Sequence, residues 1–153
     1  MKTMDGVGLM LCRYQASLFG YSVHQRVSSK VFVKKYAHSL LGERMDSAGF
    51  LLEAIDVPQA YIEVMRNNKK GGIIYNEQSM EWIGYIYRYI CYIYEQPMKK
   101  IYGLIKPNEL FELYDAYHSL DNELAIKRIL EAKGVSFENN TNQLEELKKI
   151  YKI

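Results

Sequence analysis

Cysteine and proline are scarce in this chain, and no apolar run is long enough to span a bilayer. Only two cysteines, Cys12 and Cys91, occur among 153 residues. Because they are far apart and belong to no paired-cysteine motif, we expect reduced thiols and no disulfide framework. The longest apolar run, 82–94, is shorter than the roughly 20 residues that a transmembrane helix needs, and it contains Arg88. No cleavable signal pattern follows the N terminus, so the sequence predicts a soluble, cytoplasmic protein.

A large excess of one charge is also absent. The chain has 20 basic and 18 acidic residues, a formal net charge of +2. Such a balance creates no strong field toward nucleic acids or anionic membranes. We therefore expect no membrane partner, and nucleic acid only through a local patch. Lys30, Lys34 and Lys35 on one predicted helix form the candidate patch, but no helix-turn-helix pattern accompanies them.

The common catalytic and cofactor motifs are missing as well. Gly71-Gly72 is followed by two isoleucines, so it is neither a phosphate-binding loop nor a dinucleotide fingerprint. His24, His38 and His118 are isolated and lack the spacing of metal ligands. We predict no catalytic residue, metal or cofactor. The absence of these motifs favours a binding function over enzymatic activity.

Helical spacing of apolar residues and helix-capping signals dominate what is present. They predict an all-α, single-domain bundle of about six or seven helices, with one extended segment at 73–75 as an open alternative. Residues 1–134 form the helical domain. Residues 135–153 form a polar turn and an amphipathic helix that is either part of this domain or a docking tail. The stretch from Asn76 to Glu95 is rich in the strand formers Ile and Tyr, but its length and capping signals favour a central helix covered on most sides.

Arg88 lies in the middle of this apolar, aromatic segment. A buried guanidinium needs an anion or several acceptors, because burying an isolated charge is costly. It is either a clamp for an anionic ligand, with Tyr85, Tyr92 and His118 as lining, or one half of a structural pair with an acid of the same chain. The sequence also contains a possible catalytic set of Ser119, His118 and Asp121. We disfavour it, because side chains at adjacent helix positions point in different directions and Asp121 serves as a helix cap.

Tyrosine is abundant, with 14 residues in the chain. Tyrosine offers a large contact area and a polar tip, which suits a protein interface as well as a core. The candidate partner-binding residues lie on the central helix and in the C-terminal segment: Trp82, Tyr87, Tyr94, Leu144, Leu147 and Tyr151.

Several stretches resemble a family of small, largely uncharacterised bacterial proteins. They are SSKVFV at 28–33, YAHS at 36–39, DVPQA at 56–60, WIGYIYRY at 82–89, YHSLD at 117–121 and ILE at 129–131. Genes of that family often neighbour genes of toxin-like proteins, including ones resembling ADP-ribosyltransferases. The resemblance implies a toxin–antitoxin component, most simply the neutralising partner, and it covers about residues 14–134.

Three functional hypotheses follow. The leading one is a protein-binding module that neutralises or accompanies the toxin encoded nearby. The alternative is a small enzyme or binder of a nucleotide or other anionic ligand that uses Arg88. The third is a weak DNA-binding autoregulator that uses the lysines of the 30–41 helix.

Overall fold

All regular structure in the described part of the chain is helical. The computed structural model of the protein describes residues 1–68 and 70–137. Within them lie eight α-helices and one 3-10 segment: α1 Gly6–His24, α2 Ser29–Ala37, α3 Leu40–Arg44, the 3-10 segment Ala48–Glu53, α4 Val57–Met65, α5 Glu77–Tyr94, α6 Met98–Leu104, α7 Pro107–Tyr117 and α8 Asn122–Lys133. The all-α prediction is confirmed, with more helices than predicted.

The segment 73–75 lies outside the helices and is not paired as a strand. Its backbone crosses the start of α2, where Ser29 N donates to the Ile73 carbonyl at 3.0 Å and Tyr75 N donates to Ser29 Oγ at 2.9 Å. The Tyr75 ring stacks on Phe111 with the ring centroids 4.0 Å apart. These contacts satisfy the segment without a second strand.

Helix α5 is the centre of the fold. Asn76 caps its start, accepting a hydrogen bond from Ser79 N at 2.8 Å. Helices α1, α6, α7 and α8 pack around it, and most side chains from Ile83 to Ile93 are buried. The predicted central helix is confirmed. None of the helices in the described residues combines the length and apolarity that crossing a membrane requires.

Helices α1 and α5 approach closely at Gly84. A Cβ atom at this position would lie 2.8 Å from both the Gln15 carbonyl oxygen and the Phe19 ring. Because only glycine permits that distance, Gly84 brings Gln15 of α1 beside the next turn of α5, which carries Arg88.

The predicted helix over 30–41 is divided into α2 and α3. The break occurs because Ser39 turns out of α2 and caps α3, with Gly42 N donating to Ser39 Oγ at 2.9 Å. The chain then leaves α3 at Met45 in a direction that places Asp46 next to α5. This turn completes the surroundings of Arg88.

Candidate functional site

Arg88 is sealed inside the protein and is 1% exposed. Its Nε donates to Gln15 Oε1 at 2.8 Å, its Nη1 to Asp46 Oδ1 at 2.8 Å and its Nη2 to the Tyr36 hydroxyl at 3.1 Å. All three guanidinium nitrogens therefore have partners within the chain. Of the two sequence-based alternatives for Arg88, the structure has the internal ion pair.

The partners of Arg88 are themselves held in place. Gln15 Nε2 donates to the Gly84 carbonyl at 2.9 Å, and the Tyr36 hydroxyl donates to Gln15 Oε1. Asp46 Oδ1 also accepts from Met98 N at 3.1 Å. The cluster thus ties α1, α2, the end of α3, α5 and the start of α6 together.

Electrostatics keep this cluster in one charge state. Burial alone acts to lower the pKa of Arg88, but Tyr36 and Asp46 raise it above its ordinary value, so the guanidinium stays charged. Burial raises the pKa of Tyr36 to about 12, so this hydroxyl stays neutral. A charged arginine neutralised by its own carboxylate leaves no site for an external anion.

Two other residues of α5 do not occupy the predicted sites. Tyr87, a predicted partner-binding residue, is 0% exposed and donates to the Ile105 carbonyl at 2.6 Å, so its side chain is not accessible in this fold. Tyr92 lies apart from Tyr85 and donates to Asp5 Oδ1 at 2.6 Å, which fastens the N terminus to α5. The all-round apolar sequence of α5 gave no basis for separating covered from uncovered tyrosines.

Three predicted residues do come together, in an open cleft of about 430 Å³ between α1, α5 and α7. Trp82, Tyr85 and His118 line it together with Tyr114, and we call it the aromatic cleft. The Trp82 and Tyr114 rings meet edge to face with centroids 5.9 Å apart, and the Tyr114 and His118 rings stack at 4.3 Å. Trp82, Tyr85 and Tyr114 are half-buried, and His118 is exposed.

The polar groups of the aromatic cleft are few. Glu81 lines it, and burial raises the pKa of this carboxyl, with a further contribution from the neighbouring Glu77. Trp82 Nε1 is buried and has no hydrogen-bond partner among the described residues. Leaving such a donor unpaired costs about 1–3 kcal/mol. The cleft therefore offers a bound partner aromatic faces, one carboxylate and the exposed side chain of Gln78.

The cleft does not contain a catalytic relay. His118 Nδ1 lies 2.7 Å from the Tyr114 carbonyl oxygen, and Asp121 Oδ2 accepts from Leu124 N at 3.3 Å as the cap of α8. These contacts engage the histidine and the aspartate separately. No group of three potential metal ligands occurs in residues 1–68 and 70–137.

Tyr94 lies at the other end of α5, beside a groove of about 420 Å³ that Ile93, Leu124 and Leu130 also line. Its ring is half-buried and packs against Phe137 with the centroids 5.1 Å apart. Leu144, Leu147 and Tyr151 lie outside the described residues, and their role stays a prediction.

Comparison with known proteins gives no assignment: no family model, no curated protein and no solved structure matches this chain. Sequence reasoning missed Asp46, Gln15 and Tyr36 as the partners of Arg88. For Gln15 the sequence gave one indication of such a role, because this polar residue interrupts the apolar N-terminal stretch. Asp46 and Tyr36 carried none, because their proximity to Arg88 depends on the turn between α2 and α3.

Proposed function

We propose that this chain is a bacterial, cytoplasmic protein-binding module of antitoxin type and that the aromatic cleft is its docking surface. One observation carries the proposal. Trp82, Tyr85 and Tyr114 come from two helices, remain half-exposed and meet in one open cleft, whereas the charged cluster suited to ligand chemistry is sealed.

Aromatic side chains in an open cleft favour a protein as the occupant. Trp and Tyr are the side chains that most often dominate interface energies, and truncation of a central one costs about 2 kcal/mol or more. The cleft walls include Glu81 and, among the described residues, no lysine or arginine. A partner segment that presents apolar groups together with a basic side chain fits this lining.

The nature of the partner follows from the sequence resemblance. It implies the product of an adjacent toxin-like gene, which this chain would bind and mask. The alternative of an anionic small molecule loses its main support, because Arg88 is paired with Asp46 and does not reach the cleft.

Co-expression with the adjacent gene product, followed by affinity purification, tests the proposal. We expect co-elution, and we expect Tyr85→Ala and Tyr114→Ala each to weaken binding at least tenfold. Tyr21→Ala is the matched control, because Tyr21 is also half-buried but packs on Tyr61, with ring centroids 5.4 Å apart. A neighbour that never co-elutes and whose toxicity is unchanged would refute the antitoxin role. Equal binding by all three variants would refute the docking surface.

A further inference from the structure

Basic residues are unevenly distributed along the chain. Three stretches, 22–42, 64–76 and 96–108, contain half of the 20 lysines and arginines and none of the 18 acidic residues. The net charge of +2 therefore hides a separation of charge that a small total does not reveal.

The fold brings the 22–42 stretch into contact with each of the other two stretches. Ser28 N donates to the Lys70 carbonyl at 3.0 Å, which joins the start of α2 to the 64–76 stretch. The His38 ring, following α2, meets the Tyr102 ring of α6 edge to face at 5.6 Å. Lys106 Nζ lies 4.1 Å from the centroid of the same Tyr102 ring.

Two surface cavities of about 410 and 510 Å³ adjoin where the 22–42 and 64–76 stretches meet, and they share Lys35 and His38. Lys34 and Lys70 line the first, and Arg66 lines the second. We call these five residues the basic groove. Because the two cavities share walls, the groove offers cationic side chains along a continuous path.

The cations of the groove are not neutralised by ion pairs among residues 1–68 and 70–137. None of Lys34, Lys35, Arg66 and Lys70 makes an ion pair in the described part of the chain. Glu63 is the acidic residue in the lining, and its carboxylate lies 2.9 Å from Arg44 Nη2. The groove thus keeps its positive charge for an external anion.

We propose that the basic groove binds the phosphodiester backbone of single-stranded nucleic acid, as a second activity separate from the aromatic cleft. A linear array of lysines and arginine matches a linear array of phosphates, and such contacts supply sequence-independent affinity. The His38 ring lines both cavities, with the Tyr102 ring behind it at 5.6 Å, as expected where bases stack beside a backbone track. An extended, concave track with aromatic borders fits a strand better than the flat surface of a bilayer.

Fluorescence anisotropy with labelled, mixed-sequence single strands tests this proposal, with separate RNA and DNA arms. About four phosphate contacts predict a slope of log affinity against log salt of about −3, so affinity should fall roughly 50-fold between about 50 and 200 mM salt. The variant Lys34→Gln/Lys35→Gln/Lys70→Gln should reduce that slope by about two and weaken binding at least tenfold at low salt.

A charge-matched control is Lys2→Gln/Lys127→Gln/Arg128→Gln, which removes three exposed cations outside the groove. We expect it to bind as the unaltered protein does, with thermal unfolding confirming that both variants fold. No binding of either strand at low salt would overturn the proposal. Equal loss in both variants would overturn it too, because net charge and not the groove would then be responsible. Binding to phosphatidylglycerol vesicles without binding to either strand would assign the groove to lipid instead.

Discussion

Replacement of Asp46 by alanine should destabilise this protein more than replacement of Arg88 by methionine, although the two side chains share one ion pair. In Asp46→Ala the charged guanidinium stays buried without its carboxylate, and removing one partner of a buried pair costs about 3–5 kcal/mol. The Asp46 side chain is 23% exposed, so water reaches that end of the pair. We therefore expect a loss of about 2–3 kcal/mol in the free energy of unfolding.

Arg88→Met removes the buried charge together with its need for a partner. Asp46 keeps the hydrogen bond from Met98 N and contact with water, and Gln15 Oε1 keeps the Tyr36 hydroxyl as a donor. The methionine fills part of the vacated volume, so we expect a loss of about 1–2 kcal/mol. The double variant should then be no less stable than Asp46→Ala alone, which corresponds to a coupling of at least about 1 kcal/mol.

Urea unfolding of the two single variants and the double variant measures these free energies. Each kcal/mol also corresponds to about 2–4 °C in the unfolding temperature of a chain of this size. Additive losses, or a harmless Asp46→Ala, would refute the assignment of Arg88 to an internal pair. A nucleotide-induced rise in unfolding temperature that disappears in Arg88→Met would refute it from the ligand side.

Three further predictions concern packing, pH and thiol chemistry. Gly84→Ala should destabilise the protein by about 1–3 kcal/mol, because the added Cβ would overlap α1. Gly103→Ala in α6 has no atom near its added Cβ and should stabilise the protein by up to about 1 kcal/mol. Urea unfolding that gives changes of the same sign for both variants would contradict this contrast. Burial raises the folded-state pKa of Glu81 above its ordinary value, so its ionised form opposes folding once the pH rises through that folded pKa. Glu81→Gln should therefore raise the unfolding temperature slightly at pH 7 and not at pH 4, and a larger rise at pH 4 would have the wrong sign. Burial raises the pKa of both the Cys12 and the Cys91 thiol to about 12. Neither thiol should therefore react with Ellman's reagent until the protein unfolds. Rapid labelling of the native protein would contradict the buried placement of these thiols.

The starts of α4, α5 and α8 were predictable because their capping signals are local. Asp56 caps α4 by accepting from Gln59 N at 2.8 Å, and Asn76 and Asp121 cap α5 and α8 in the same way. Each interaction joins residues three positions apart, so the sequence alone contains both partners. The all-α class follows from the same local pattern.

Long-range pairing was not predictable. Arg88 had many acidic residues as potential partners, and Asp46, 42 positions away, reaches it only because α2 ends early and α3 redirects the chain. The segment 73–75 has strand propensity, but hydrogen bonds to the start of α2 replace strand pairing. In both cases tertiary contacts decide the outcome.

Trp82, Tyr85 and His118 were candidate residues, but the sequence did not predict that they meet in one cleft. Tyr85 and Tyr87 are two positions apart on α5, and one borders the cleft while the other is fully buried. Their difference depends on where α7 leaves α5 uncovered. The sequence of α5 is apolar on most faces, so it does not indicate which part of the helix α7 leaves uncovered.

The most direct test of the docking surface uses Trp82, the one tryptophan of the chain. Incorporation of 5-fluorotryptophan gives this chain a single ¹⁹F resonance in the lining of the aromatic cleft, free of signals from an unlabelled partner. Addition of the adjacent gene product should shift that resonance, with saturation at one equivalent, and Tyr114→Ala should weaken the titration at least tenfold. A complex that forms on size-exclusion chromatography while the resonance stays unshifted would contradict the account, because the partner would then bind elsewhere.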